Sequence, residues 1–145
     1  MGQQQLLLIV LSVIIVGIAV AVGVNMFRSG AIDANRQALI SDVVNYGAKA
    51  QRHYRTPTQL GGGSQNFDGF KMNGIDTANA NGTYAANNNI PGNNSKVVGS
   101  VAALSGTVGT IYIIGSGNEI GDDGTNPVKV YAKVTADSIV STIMN

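Results

Sequence analysis

The chain has 145 residues, 44% of them hydrophobic, a net charge of +1 and no cysteine. A charge so close to neutral gives no argument for nucleic acid or an acidic membrane surface as a partner. The missing cysteine removes disulfides, thiolate metal sites and cysteine nucleophiles. With five Tyr, three Phe and no Trp to fill a core, the globular part is expected to be small and to gain stability from neighbouring copies.

Residues 6–24 are apolar or small throughout, and no charge appears before Arg28. At about 1.5 Å per residue such a run, as a helix, covers the roughly 30 Å hydrocarbon thickness of a bilayer. The flank Met1-Gly2-Gln3-Gln4-Gln5 has no Lys or Arg, unlike the basic start of a cleaved signal peptide. Gly17 and Gly23 interrupt the run, each costing about 1 kcal/mol of helix propensity relative to Ala. Close helix–helix contact is the favoured reason for them, with local unwinding as the alternative.

From Asn25 to Tyr54 there is no proline, and Ile32, Leu39, Val43, Tyr46, Ala50 and Tyr54 recur on one helical face. The spacing predicts that one helix of about 50 residues, roughly 75 Å long, ends at Pro57 and Gly61-Gly62-Gly63. Helices of globular proteins average about 11–12 residues, so this one needs partners beyond its own domain. Its stretch 28–55 carries five basic residues against Asp33 and Asp42, whereas four lysines face six carboxylates from residue 56 onward. That division suits head-to-tail packing of one copy's helix against another's domain; ordinary surface charge is the bland alternative. The expected units are 1–27 (apolar helix), 28–56 (amphipathic continuation) and 57–145 (a Gly/Asn-rich β domain).

Beyond Pro57 the period changes from helical to alternating. Val128, Val130, Ala132 and Val134 alternate with Lys129, Tyr131 and Lys133, which predicts a half-buried strand. Residues 107–114 read as a central strand and 96–104 as another, with Ser105-Gly106 as a hairpin turn between them. Residues 67–72 and 83–86 are weaker strand candidates, and 136–144 reads equally as a strand or a short helix. Residues 73–95 hold eight asparagines and read as a surface loop. An antiparallel sheet laid on the amphipathic half of the helix buries both apolar faces, giving an α+β fold.

Candidate chemistry is sparse. Asn81-Gly82-Thr83 and Asn93-Asn94-Ser95 match the glycosylation sequon, as chance allows in so Asn-rich a stretch. Glu119, Asp122 and Asp123 lie in a predicted loop 117–127 and could hold calcium, although their spacing is not that of an EF-hand; a solvated, capped turn is the favoured reading. The single histidine, His53, sits among Arg52 and Arg55 with no carboxylate near it in sequence. No nucleophile elbow, phosphate-binding loop or metal-ligand cluster is present, and Gly61-Gly62-Gly63 follows a helix instead of opening one. Neither catalysis nor a cofactor is expected.

A short polar N-terminus, an unbroken apolar run, an amphipathic helix and a small Gly/Asn-rich β domain together resemble a type IV pilin or a secretion pseudopilin. The resemblance is architectural and covers the whole chain. Those families carry a basic leader ending in Gly, then usually Phe, with Glu at the fifth mature position; here the fifth residue is Gln5 and no leader is visible. A cut after Gly2 would make Leu7 the fifth residue. The resemblance implies an extracellular filament that polymerises from a membrane-inserted precursor. Its partners would be further copies of the chain, the inner membrane before assembly, and pilus assembly machinery. Assembly contacts would come from Gln3, Gln4, Gln5, Leu6, Leu7, Leu8, Val10, Leu11, Ile14, Ile15, Gly17, Ile18 and Gly23. The other expectations are a pseudopilin forming a short piston in secretion, and a single-pass membrane protein that presents its β domain as a binding module.

Overall fold

Without proline before Pro57, the backbone from Gly2 to Arg55 forms one helix, α1, of 54 residues. It is about 80 Å long at 1.5 Å per residue. The computed structural model describes residues 2–90, 92, 97, 99–106 and 109–145. The expected boundary between 27 and 28 is no break in the helix; it shows only in the contacts, since Ile32 is the first buried side chain.

The end of α1 is closed by the chain that follows. Gly63 and Gln65 donate backbone N–H groups to the carbonyls of His53 and Tyr54, at 2.8 and 2.7 Å, and Thr56 Oγ1 donates to the Arg52 carbonyl at 2.7 Å. These groups satisfy carbonyls that a helix end leaves unpaired. The glycine run is what lets the chain lie so close. Gly61 has φ of 80°, and a Cβ at Gly62 or Gly63 would overlap the carbonyl oxygen of Thr56 or Asn66.

Four strands follow: β1 (Gly82–Asn87), β2 (Thr110–Ile120), β3 (Pro127–Thr135) and β4 (Ile139–Ile143). They pair antiparallel in chain order, with Ile113 opposite Ala132 and Val130 opposite Ile143. The sheet lies on the C-terminal half of α1, so the fold is α+β. Ile32, Leu39, Val43 and Ala50 from the helix meet Ile111 and Ile113 of β2 and Val128, Val130, Ala132 and Val134 of β3. The alternation read along 128–134 therefore corresponds to a real face, and within 136–144 the stretch Ile139–Ile143 forms a strand and no helix.

Strand β2 is central as predicted, but it starts at Thr110 and continues to Ile120. Gly115 and Gly117, which imitate a turn in the sequence, are sites of close approach. A Cβ on Gly115 would come within 3.1 Å of Val43 and 3.0 Å of the Tyr84 ring, and one on Gly117 would overlap the Asn35 side chain. Consequently Glu119 is a strand residue and the predicted loop 117–127 shrinks to 121–126.

Residues 67–72 are no strand. Phe67, Phe70 and Met72 are buried in a turn around Gly69 (φ 76°), tied to Leu104 by two backbone hydrogen bonds of 2.8 and 2.9 Å. These three side chains fill the end of the core, where ring contacts such as Tyr54–Phe67 (4.8 Å between centroids) replace ladder pairing. Part of the predicted strand 96–104, and Thr107-Val108 after the predicted hairpin, lie outside the described residues. Those described at 97 and 99–104 form no strand, and Ser105-Gly106 joins none; Gly106 donates to Asp68 Oδ1 at 3.0 Å. The expected loop 73–95 contains β1, which bears out the weaker strand reading of 83–86. Tyr84 within it is fully buried.

Lys129 departs from the polar-outward pattern. It is fully buried beside Ser116, its Nζ donating to the Gly92 carbonyl at 3.0 Å. Burial pushes its pKa below the ordinary lysine value. The unfolded chain then binds the proton more tightly, so stability increases as pH rises from the folded pKa to about 10.4. Lys129→Met should be neutral or stabilising, by about 1 kcal/mol, and should remove that alkaline gain in denaturant titrations of the full chain.

Candidate functional site

The main unsatisfied feature of this molecule is the first half of α1. Every large side chain from Leu6 to Val24 is exposed, by 52% to 70% of its full area, and the most apolar 18-residue window of α1 has no buried residue. The apolar character runs around the whole circumference, which is the mark of a helix buried on all sides. The segment is long and apolar enough to cross a membrane. Ser12, its one hydroxyl, returns its proton to the Ile9 carbonyl at 2.8 Å and so presents little polarity. Nothing lies within 4 Å of a Cβ built at Gly17 or Gly23, so both are small, open sites against which another helix can pack.

Of the predicted assembly residues, Leu6, Leu7, Leu8, Val10, Leu11, Ile14, Ile15, Gly17 and Ile18 all lie on this bare segment. Gln3, Gln4 and Gln5 form its exposed polar start, and Gly23 is half-buried. Met26 and Phe27, within the expected apolar unit 1–27, are exposed by 71% and 84% and extend the apolar surface past Asn25.

The six residues predicted to pack on the sheet are brought together. Ile32, Leu39, Val43 and Ala50 are buried, and Tyr46 and Tyr54 lie partly buried against the same core. Tyr46 meets the Tyr84 ring edge-on at 4.9 Å. Sequence reasoning missed Asp42 on this helix. Its Oδ2 accepts hydrogen bonds from Asn79 Nδ2 and Asn81 Nδ2, each 2.8 Å, and from the Tyr84 hydroxyl. Burial pushes the Asp42 pKa up, but the hydrogen bonds from Asn81, Tyr84 and Asn79 outweigh it and hold the group below the usual carboxylate value. Burial and the Asp42 carboxylate push the Tyr84 hydroxyl up, which keeps it a donor. The signal was a carboxylate on the apolar stripe, one residue before Val43. The Asn81 amide that a sugar would modify is engaged here, whereas the second sequon lies outside the described residues.

The carboxylates proposed for calcium have other work. Asp122 pairs with Arg36 at 2.6 Å, which also bonds Asp33 at 3.2 Å and the Asn145 carbonyl at 3.3 Å. Asp123 caps its own turn, accepting from Thr125 N, Asn126 N and Asn126 Nδ2 at 3.0, 2.8 and 2.6 Å. The Asn126 side chain and these backbone groups hold its pKa down to about 2. Glu119 belongs to β2, and no metal-holding group of three or more His, Cys, Asp or Glu occurs among the described residues. The capped turn is the arrangement observed.

At the other end of the domain a groove of about 350 Å³ is lined by Tyr46, Lys49, Arg52, His53, Lys71 and Asp76, among others. Lys49 bonds Asp76 at 2.8 Å. His53 Nε2 lies 3.1 Å from the Asp68 carbonyl oxygen, and its ring packs on Phe70. The groove therefore offers positive charge but no carboxylate–imidazole pair. No family model, curated protein sequence or solved structure matches this chain.

Proposed function

We propose that the chain is the structural subunit of an extracellular filament of the type IV pilin kind, held together by residues 6–24 of many parallel copies. A single observation carries this reading: the sheet packs on one face of residues 32–54 of α1 and leaves the preceding apolar segment uncovered. At about 25 cal/mol per Å², that exposure to water costs many kcal/mol. A membrane removes this cost before assembly, and neighbouring helices remove it afterwards. The closed β domain then forms the outer surface.

A membrane also satisfies the helix permanently, which keeps the anchored binding module as a second reading. Mechanical shearing of producing cells separates the two. The filament reading expects abundant chain in the sheared fraction, visible as filaments by electron microscopy; a chain that stays wholly with the membrane fraction contradicts it. A pseudopilin would give only short assemblies.

At the inner end of the proposed core, Gln5 takes the place of a buried carboxylate. An unpaired carboxylate in an apolar core is very costly, whereas Gln needs only hydrogen-bond partners. Gln3, Gln4 or the unpaired N–H groups of the helix start supply them. Gln5→Leu should lower filament yield only modestly. Gln5→Lys, which buries like charges together, should lower it at least about tenfold. Both are read as sheared filament per cell, and normal assembly of Gln5→Lys would place this end of the helix in water.

A further inference from the structure

The two ends of the β domain carry opposite charge. The groove itself is lined by Lys49, Arg52 and Lys71 against Asp76, a net of +2 with His53 neutral; with Arg55, Asp68 and Asp137 beside it, this end carries +1. Arg52 and Lys71 are exposed and make no ion pair among the described residues. The opposite end has Asp33, Glu119, Asp122 and Asp123 against Arg28 and Arg36, a net of −2. Arg36 is committed to Asp33 and Asp122, so Glu119 and Asp123 present the uncompensated charge. Arg36 and Arg52 mark the two levels on one continuous helix, about 24 Å apart at 1.5 Å per residue.

We propose that the acidic end of one copy, around Glu119 and the 121–126 turn, docks on the Arg52–Lys71 groove of a second copy displaced about 24 Å along the helix axis. The proposal rests on the filament reading, because only parallel copies sharing one axial direction present the two ends to each other. An antiparallel pair would set like ends together. The apolar helices supply the cohesion, and the charged ends add to the register, as complementary charges fix register and orientation more than they add affinity. Exposed pairs are screened by salt over about 8–10 Å, so the register loosens at high ionic strength.

Carbodiimide coupling of sheared wild-type filaments tests this directly, since it joins a lysine amine to a carboxylate in contact with it. The expected product is a ladder of linked subunits whose junction peptides join Lys71 or Lys49 to Glu119 or Asp123. The same junction is absent from detergent-dissolved monomer, where the two ends lie too far apart to react. In parallel, Arg52→Glu and Glu119→Arg should each reduce filament yield several-fold, and the reciprocal double variant should recover most of it. Filaments that yield no such junction, or charge reversals without effect on assembly, overturn the docking while leaving the filament reading intact. Failure of the wild-type chain to form any filament overturns both.

Discussion

Val16→Asp is expected to abolish filaments while leaving the domain from Gln59 onward folded. Val16 lies mid-way along the bare segment and is 61% exposed in the single chain, so the substitution touches nothing in the core built on Ile32–Ala50. In the proposed filament, and in the membrane before it, the same position has no water. A carboxylate at the centre of an apolar helix costs about 2.5–3.5 kcal/mol even on insertion-based scales, roughly a hundredfold in an equilibrium constant. The polymer repeats that cost in every subunit. Sheared-fraction yield reports the first expectation, and protease resistance of the detergent-dissolved full chain reports the second. Wild-type filament yield from Val16→Asp would mean that this segment faces water in the assembly.

The second large effect is expected inside the domain. Asp42→Ala removes the acceptor of three charge-assisted hydrogen bonds and leaves the Tyr84 hydroxyl, on a fully buried side chain, without the Asp42 acceptor. Charged hydrogen bonds contribute about 1.5–3 kcal/mol each in mutational series. Discounting for the half-buried site and its access to water, a total loss of about 3 kcal/mol is expected from denaturant titration of the full chain. Asp42→Asn keeps an uncharged acceptor and should lose less. The sign of the pH effect follows from the lowered pKa. The native state holds the charged form more favourably than the unfolded chain does. Its contribution is therefore present above the unfolded value of about 3.9 and fades as pH falls through the lower folded pKa. That acid-labile component should be missing from Asp42→Ala, and equal acid sensitivity of the two proteins would assign it to other carboxylates.

What could be read from the sequence follows from where a residue's role is local. The helix was legible to within a few residues, because an apolar run, a helical stripe from Ile32 to Tyr54 and the stop at Pro57 are all properties of neighbouring positions. The alternation along 128–134 was legible for the same reason. Residues whose role depends on distant partners were not. Gly115 and Gly117 look like turn residues until the helix is laid across them, and Phe67, Phe70 and Met72 alternate with polar residues yet work as three plugs on a turn. Lys129 reads as solvent-facing because Gly92, whose carbonyl it meets, is remote in sequence. The bare helix was legible as apolar, but its lack of cover within the chain is a property of the fold. Asp42 shows the limit most clearly: its three partners lie 37 to 42 residues away, on the Asn-rich stretch that composition assigned to a loop.

The central claim, that residues 6–24 are buried against the same segment of other copies, is tested most directly by cryo-electron microscopy of sheared filaments at side-chain resolution. The expected map has parallel copies of α1 bundled along the axis, their Leu6–Val24 side chains interleaved without water, and the β domains outside. A map in which this segment lies on the filament surface, or each helix is folded against its own sheet, contradicts the account.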